Sequence, residues 1–166
     1  IGTYALNANT TAINNTAVGY KALYVNTTGA ANTAFGREAL WSNTTATGNT
    51  ALGFQSQNRT TTGANNTSVG YDSLYTNTTG ANNVAVGKNA LLVNTTAASN
   101  TAVGATSMIA NTTGHSNSAF GRSSLIANTT GDHNTGIGYA ALLANTSAND
   151  NTAVGYSSLQ ANTANS

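Results

Sequence analysis

The stretch Asn15-Thr-Ala-Val-Gly-Tyr-Lys-Ala-Leu-Tyr-Val-Asn-Thr-Thr-Gly-Ala-Ala31 recurs, lightly edited, from one end of the chain to the other. One glycine in each copy stands 17 residues after its counterpart in the copy before, with no insertion or deletion. These phase glycines are Gly2, Gly19, Gly36, Gly53, Gly70, Gly87, Gly104, Gly121, Gly138 and Gly155. So strict a period predicts a repeat architecture in which each unit buries its apolar face against its neighbours.

The 166 residues hold nearly ten such units, so we expect a single repeat array over 1-166 and no second domain. The chain begins and ends inside a repeat, and neither end departs enough from the pattern to act as a polar cap. We therefore expect it to be a window of a longer fibrous protein.

Composition argues against several functions. Five basic and four acidic residues give a net charge of +1, too little to bind nucleic acid or an anionic membrane surface by electrostatics. No cysteine is present, which removes disulfides and thiolate metal sites. No apolar run is long enough to cross a membrane, and no signal peptide is visible. We therefore expect neither nucleic-acid binding nor membrane insertion.

Distance from the phase glycine fixes the residue type. The residue directly before it is always large and apolar, and the one before that is always small. The third residue after it is only Ala or Ser, and the fourth is Leu, with Gln57 and Met108 as exceptions. Each unit thus carries two short patterned segments, such as Thr16-Ala-Val18 and Ala22-Leu-Tyr24.

The segment lengths favour strands over helices. Residues 20–25 are too few for a stable helix, whereas strands of three to five residues between Gly and Asn-Thr-Thr turns fit both segments. Stacking the units in register predicts an all-β parallel β-solenoid of about ten 17-residue coils, with neighbouring coils about 4.8 Å apart. Because both faces of each segment are restricted, we expect one set of side chains to fill a thin coil and the other to pack on another copy of the chain.

Two asparagine columns and one threonine column complete the pattern. Stacked amides can bond along a rod, and Asn tolerates left-handed turns, so we interpret these columns as structural ladders. The first column is Asn15, Asn32, Asn49, Asn66, Asn83, Asn100, Asn117, Asn134 and Asn151. The second is Asn9, Asn26, Asn43, Asn77, Asn94, Asn111, Asn128, Asn145 and Asn162, interrupted by Thr60. The threonine column is Thr10, Thr27, Thr44, Thr61, Thr78, Thr95, Thr112, Thr129, Thr146 and Thr163.

The same columns allow two functional readings. Regular Thr and Asn rows could order water as an ice-binding surface, although adjacent threonines of a strand would point to opposite faces. Asn-Thr-Thr is also a formal glycosylation acceptor. The possible acceptors are Asn26, Asn43, Asn77, Asn94, Asn111 and Asn128.

Convergent chemical groups are scarce. His115 and Asp132 share one repeat position in consecutive coils, and His133 and Asp150 share the next, so these four are a weak candidate for a divalent-cation site. Glu38 and Asp72 lie two coils apart, too far for a hydrolytic dyad with no pocket implied between them. The evenly spaced glycines do not form a phosphate loop. We expect no enzyme activity and no cofactor.

The motif Asn-Thr-Ala-Val-Gly-Tyr-x-Ala-Leu-x-x-Asn-Thr-Thr-Gly at residues 15–29 resembles the repeats of phage tail fibres and related bacterial surface fibres. Its Ala-Val-Gly core is also similar to the Val-Ala-Ile-Gly repeats in the head of trimeric autotransporter adhesins, although the 17-residue period is longer. The resemblance covers the whole chain. It implies a left-handed β-roll within a homotrimeric fibre that holds a receptor-binding region, outside this window, away from a virion or cell.

Together, the periodicity and the resemblance predict a structural shaft or adhesive fibre. It would be extracellular, on a cell surface or virion, and would self-associate as a trimer or filament. The alternative is an ice-binding (antifreeze) solenoid.

Overall fold

The computed structural model describes residues 1–162 and confirms the all-β parallel solenoid with 17-residue coils. Within this range, three-residue strands form one parallel sheet whose spatial order is the order of the chain. They are β1 (Thr16–Val18), β2 (Thr33–Phe35), β3 (Thr50–Leu52), β4 (Thr67–Val69), β5 (Val84–Val86), β6 (Thr101–Val103), β7 (Ser118–Phe120), β8 (Thr135–Ile137) and β9 (Thr152–Val154). These 162 residues contain no helix, and hence none with the length and hydrophobicity to span a membrane.

Each strand pairs with the next at the same repeat position, so Thr16 lies opposite Thr33 and Ala17 opposite Ala34. The Thr33 amide donates to the Asn49 carbonyl and the Gly36 amide to the Val18 carbonyl, both at 2.8 Å. The middle residue of every strand is buried and the two outer residues are partly or fully exposed. The period of two therefore places Ala inside the coil and Thr and the large apolar residue outside.

The second patterned segment is not a strand, which corrects the expectation of two strand ladders in each coil. Residues two and four after the phase glycine have positive φ, 55° at Lys21 and 51° at Leu23, so the chain curls. The Ala22 amide donates back to the Gly19 carbonyl (3.4 Å) and the Asn26 amide to the Leu23 carbonyl (3.4 Å), closing two turns. Left-handed Leu costs about 1–2 kcal/mol. Complete burial of the same Leu side chain stabilises the fold by a free energy of about the same size.

The interior is thin and filled by one set of small and medium side chains. Ala from the strand, Ala or Ser and Leu from the curled segment, and two asparagines all point inward. The apolar part of this interior is divided in two. One buried cluster runs from Ala17 to Ala51 and another from Leu74 to Ala153. We call the coil between them the Gly53 coil (residues 53–69). It places Gln57 where both neighbouring coils have Leu, beside Ser56 where the preceding coil has Ala.

The phase glycines bring successive coils into backbone contact. All of them have φ between 125° and 143°, a conformation that L side chains rarely adopt. A Cβ on Gly19 would lie 2.5 Å from the Gly36 carbonyl oxygen, and one on Gly87 would lie 2.6 Å from that of Gly104. Neither distance leaves room for a methyl group, so glycine is required in this column for the coils to stack at sheet spacing.

We predict that Gly87→Ala will disrupt the solenoid, with a loss of more than about 4 kcal/mol in the free energy of unfolding. The reason is that both the backbone conformation and the contact with Gly104 oppose a Cβ. Urea unfolding followed by far-UV circular dichroism would measure the loss.

Gly155→Ala in this 166-residue chain is the matched control. Gly155 has the same backbone conformation, with φ of 125°, but the nearest atom to its Cβ would be the Ser158 Cβ at 3.9 Å. We expect only the conformational cost there, about 1–3 kcal/mol. Equal losses in the two variants would contradict the importance of inter-coil contact.

Candidate functional site

The first asparagine column joins each coil to the next through both amide atoms, and we call it the Asn15 ladder. The Asn15 Oδ1 accepts the backbone N–H of Asn32 at 2.9 Å. The Asn32 Nδ2 donates to the carbonyl of Ala46 in the following coil at 2.8 Å. From Asn32 to Asn134 these side chains are fully buried. Their polar groups are therefore satisfied by neighbouring coils, as burial requires.

The second column, the Asn26 ladder, runs through its side chains. The Asn43 Nδ2 donates to the Asn26 Oδ1 at 2.7 Å and also to the Ala46 carbonyl at 3.2 Å. The Ala46 carbonyl thus accepts one amide from each ladder. This shared acceptor ties both ladders to the same turn and holds the thin interior at a fixed width.

In the threonine column, which we call the Thr27 ladder, the hydroxyl groups donate hydrogen bonds to backbone carbonyls. The Thr27 Oγ1 donates to the Thr44 carbonyl at 3.1 Å, and each further threonine to Thr129 repeats this bond with the next coil. That carbonyl also accepts the successive amides of Thr27, Thr28 and Gly29 at 3.0 to 3.3 Å. Thr163, the last member of the column, lies outside the described residues. The row therefore joins coil to coil at the partly exposed edge of the rod, and its hydroxyl protons are already donated to carbonyls.

Burial argues against glycosylation of the folded chain. The six candidate acceptors of the Asn26 ladder have no exposed surface, and the Nδ2 of each donates at least one hydrogen bond. A glycan on any of them would have to displace the interior of the coil. The ladder role and glycan attachment are therefore incompatible at these positions.

The four residues of the weak candidate for a metal site make other contacts in the structure. The His115 Nδ1 accepts the Ala98 amide at 3.0 Å and the Asp132 Oδ1 accepts the His115 amide at 2.6 Å, so these side chains serve the backbone. His133 and Asp150 form an exposed pair at 3.6 Å between Nδ1 and Oδ1. Residues 1–162 contain no group of three or more His, Cys, Asp or Glu that could hold a metal ion.

Glu38 and Asp72 share one outer row with Gln55 between them. The Gln55 Nε2 donates to the Glu38 Oε2 at 2.7 Å, and this bond, helped by Arg37 and Lys21, holds the pKa of Glu38 below its ordinary value. Burial instead raises the pKa of Asp72. These opposite pKa shifts have separate causes, and Gln55 keeps the two carboxyl groups from meeting.

The outer face of the sheet carries a continuous row of large apolar side chains. Six of them are more than a third exposed. They are Phe35, Leu52, Phe120, Ile137 and Val154, which follow the inward residue of their strands, and Ile1, which precedes Gly2. Val18, Val69, Val86 and Val103 continue the row with partial exposure. Contiguous exposed apolar surface of this kind is typical of interaction sites.

A comparison with protein-family models, with curated proteins and with solved structures gives no match to this chain.

One feature was visible in the sequence only as separate exceptions. Gln57 interrupts the Leu column and Thr60 the Asn26 ladder, and both belong to the Gly53 coil. The fact that both exceptions fall in one coil was the signal available in the sequence. The structure shows the consequence, because the Asn43 Oδ1, the Gln57 Oε1 and the Thr60 Oγ1 are buried without a hydrogen-bond partner among residues 1–162.

We predict that Thr60→Asn will stabilise the chain by about 1–2 kcal/mol, since it restores two amide hydrogen bonds worth about 1 kcal/mol each. The new Nδ2 would donate to the Asn43 Oδ1, and the new Oδ1 would accept the Asn77 Nδ2, which now donates only to Gly80. Thermal and urea unfolding of the variant and the parent chain would measure the gain.

Thr62→Asn provides the control, because Thr62 is exposed two residues further along the same turn. Its stability should stay within about 0.5 kcal/mol of the parent. A Thr60→Asn variant no more stable than the Thr62→Asn variant would count against the ladder as a source of stability.

Proposed function

We propose that this chain is a structural shaft or adhesive fibre displayed on a virion or cell surface. The main support is the unbroken in-register stacking of the coils. Backbone pairing, the phase glycines, the Asn15 ladder and the Thr27 ladder join successive coils, and the Asn26 ladder does so except at Thr60. Because every connection runs along the rod axis, a lengthening array stays stiff without cofactor, disulfide or charge. These are the properties that a spacer outside the cell requires.

The chain would assemble with copies of itself, as a homotrimer or filament, through the outer face of the sheet. The apolar row spans β1 to β9, about 38 Å at a spacing of about 4.8 Å per strand. No described segment of the chain covers this row, because residues 1–162 all belong to the coils themselves. Closed symmetric association would remove it from water.

The ordered interior supports rigidity rather than catalysis as the role of the polar residues. In the Asn15 ladder and the Thr27 ladder, the side chains bond to neighbouring coils. The side chains that can contact another molecule lie on the outside, in the apolar row and beside it. Adhesion would therefore depend on outward residues of individual coils, or on regions beyond this window.

Ice binding is the second candidate, and one observation favours it. The strands place a threonine row on the flat outer face, at Thr16, Thr33, Thr50, Thr67, Thr101, Thr135 and Thr152. Against it, the Asn rows are buried and the Thr27 ladder hydroxyls already donate to carbonyls. Large residues such as Phe35 and Phe120 also interrupt the flatness of the face.

We expect the wild-type chain to sediment as an oligomer, with three times the chain mass of 16.6 kDa for a trimer. Val86→Lys should shift it towards monomer, because Val86 lies in the apolar row while its side chain stays outside the coil. Light scattering after size exclusion would give the mass of each variant.

Val93→Lys is the matched control, with the same substitution seven residues further along the chain at a partly exposed position outside the strand. It should leave the mass unchanged. A monomeric, folded wild type would remove the assembly proposal. A charged substitution in the Leu column, such as Leu91→Asp, would not test assembly, because Leu91 is fully buried and its loss would unfold the chain.

For a shaft, we expect no thermal hysteresis and no faceting of ice crystals at micromolar concentration. Nanolitre osmometry would measure both. Hysteresis that is lost in Thr101→Tyr, which keeps the fold while disturbing the outer threonine row, would establish ice binding instead.

A further inference from the structure

A cleft of about 520 Å³ opens on the side of the rod at the Gly53 coil. It forms because Asn58 stands where the coils on either side carry a large aromatic side chain five residues after the phase glycine, at Tyr24, Trp41 and Tyr75. The Asn58 side chain turns back to the rod, where its Nδ2 donates to the Glu38 carbonyl at 3.0 Å. Trp41 and Tyr75 belong to coils that are two repeats apart, about 10 Å along the rod, and their side chains border the cleft on its two sides.

The cleft contains an arginine that has no ion-pair partner among residues 1–162. Within residues 1–162 the Arg59 guanidinium forms neither an ion pair nor a side-chain hydrogen bond, and it lies 5.3 Å from the centre of the Tyr75 ring. The nearby Glu38 is already engaged by Arg37 (3.3 Å) and by Gln55 (2.7 Å). A planar guanidinium on an aromatic face keeps its outward N–H groups available to an anion.

The Gly53 coil departs from the repeat at a cost in stability. It splits the apolar core. In addition, three of the six buried side-chain atoms that lack a hydrogen-bond partner in the described range lie in this coil or directly beside it in the Asn26 ladder. They are the Asn43 Oδ1, the Gln57 Oε1 and the Thr60 Oγ1. Local departures from an otherwise consistent pattern are where functional sites are expected.

We propose that this cleft binds an anionic saccharide. Sugar rings present flat C–H faces that pack on aromatic rings, here Trp41 and Tyr75, and hydroxyls that bond to amide groups such as that of Gln55. The acidic group would pair with the Arg59 fork. The volume is that of ordinary small-ligand sites. This proposal does not depend on the shaft function, because it concerns one coil.

The chain carries its own reporter, since Trp41 is the single tryptophan. We would titrate the full 166-residue chain with tetragalacturonate and follow Trp41 emission, with calorimetry on the same samples. The fully methyl-esterified tetrasaccharide is the matched neutral probe, and tetraglutamate tests an acidic peptide. We expect tetragalacturonate to bind and the neutral ester to bind at least about tenfold more weakly, since a charge-assisted bond is lost.

Three variants localise the binding. Asn58→Tyr restores the residue type of the neighbouring coils, so it should fill the cleft and abolish binding without loss of stability. Arg59→Gln should weaken binding about 10- to 100-fold. Arg122→Gln removes another exposed arginine, far along the rod, and should leave affinity unchanged.

Absence of tetragalacturonate binding would overturn the proposal, and so would affinity that survives both Asn58→Tyr and Arg59→Gln. Binding of tetraglutamate alone would overturn it as well, because the cleft would then be a peptide site. Circular dichroism of each variant separates loss of binding from loss of fold.

Discussion

The structure depends on how closely successive backbones approach at the phase glycines. With no side chain in this column, the carbonyl of each glycine occupies the space where a Cβ of the preceding one would be. The approach fixes the register of the coils, and the register in turn aligns every other column. An array with one residue more or fewer in a unit would bring unlike positions together and lose all the ladders at once.

The same register explains how so many asparagines can be buried. A single buried amide would leave donors or acceptors unpaired, at about 1–3 kcal/mol for each. Repeated at one position, each amide finds its partner in the next coil, so the cost is incurred only at the two ends and at interruptions. Thr60 is such an interruption, and the unpaired Asn43 Oδ1 is its direct consequence.

The rod is uniform along most of its length and irregular at one coil. The outer sheet face keeps its large apolar character from Val18 to Val154, which suits association along the whole rod. The Gly53 coil is different, since its departures inside and outside the coil occur together. In our proposals, the stacked coils supply length and the irregular Gly53 coil supplies a binding site.

The sequence by itself determined the period, the parallel stacking and the Asn and Leu columns, because a repeat of fixed length constrains every copy equally. It could not distinguish a strand from the curled Ala22-Leu23 segment, since both bury alternating or adjacent small and large residues, and only backbone dihedrals separate them. Nor could it show that Asn26 is closed to glycosylation, that His115 and Asp132 serve backbone amides, or that Trp41 and Tyr75 border a cleft. Those features depend on which way each side chain leaves the coil and on what the neighbouring coil places beside it, and that was decided only when the coils stacked.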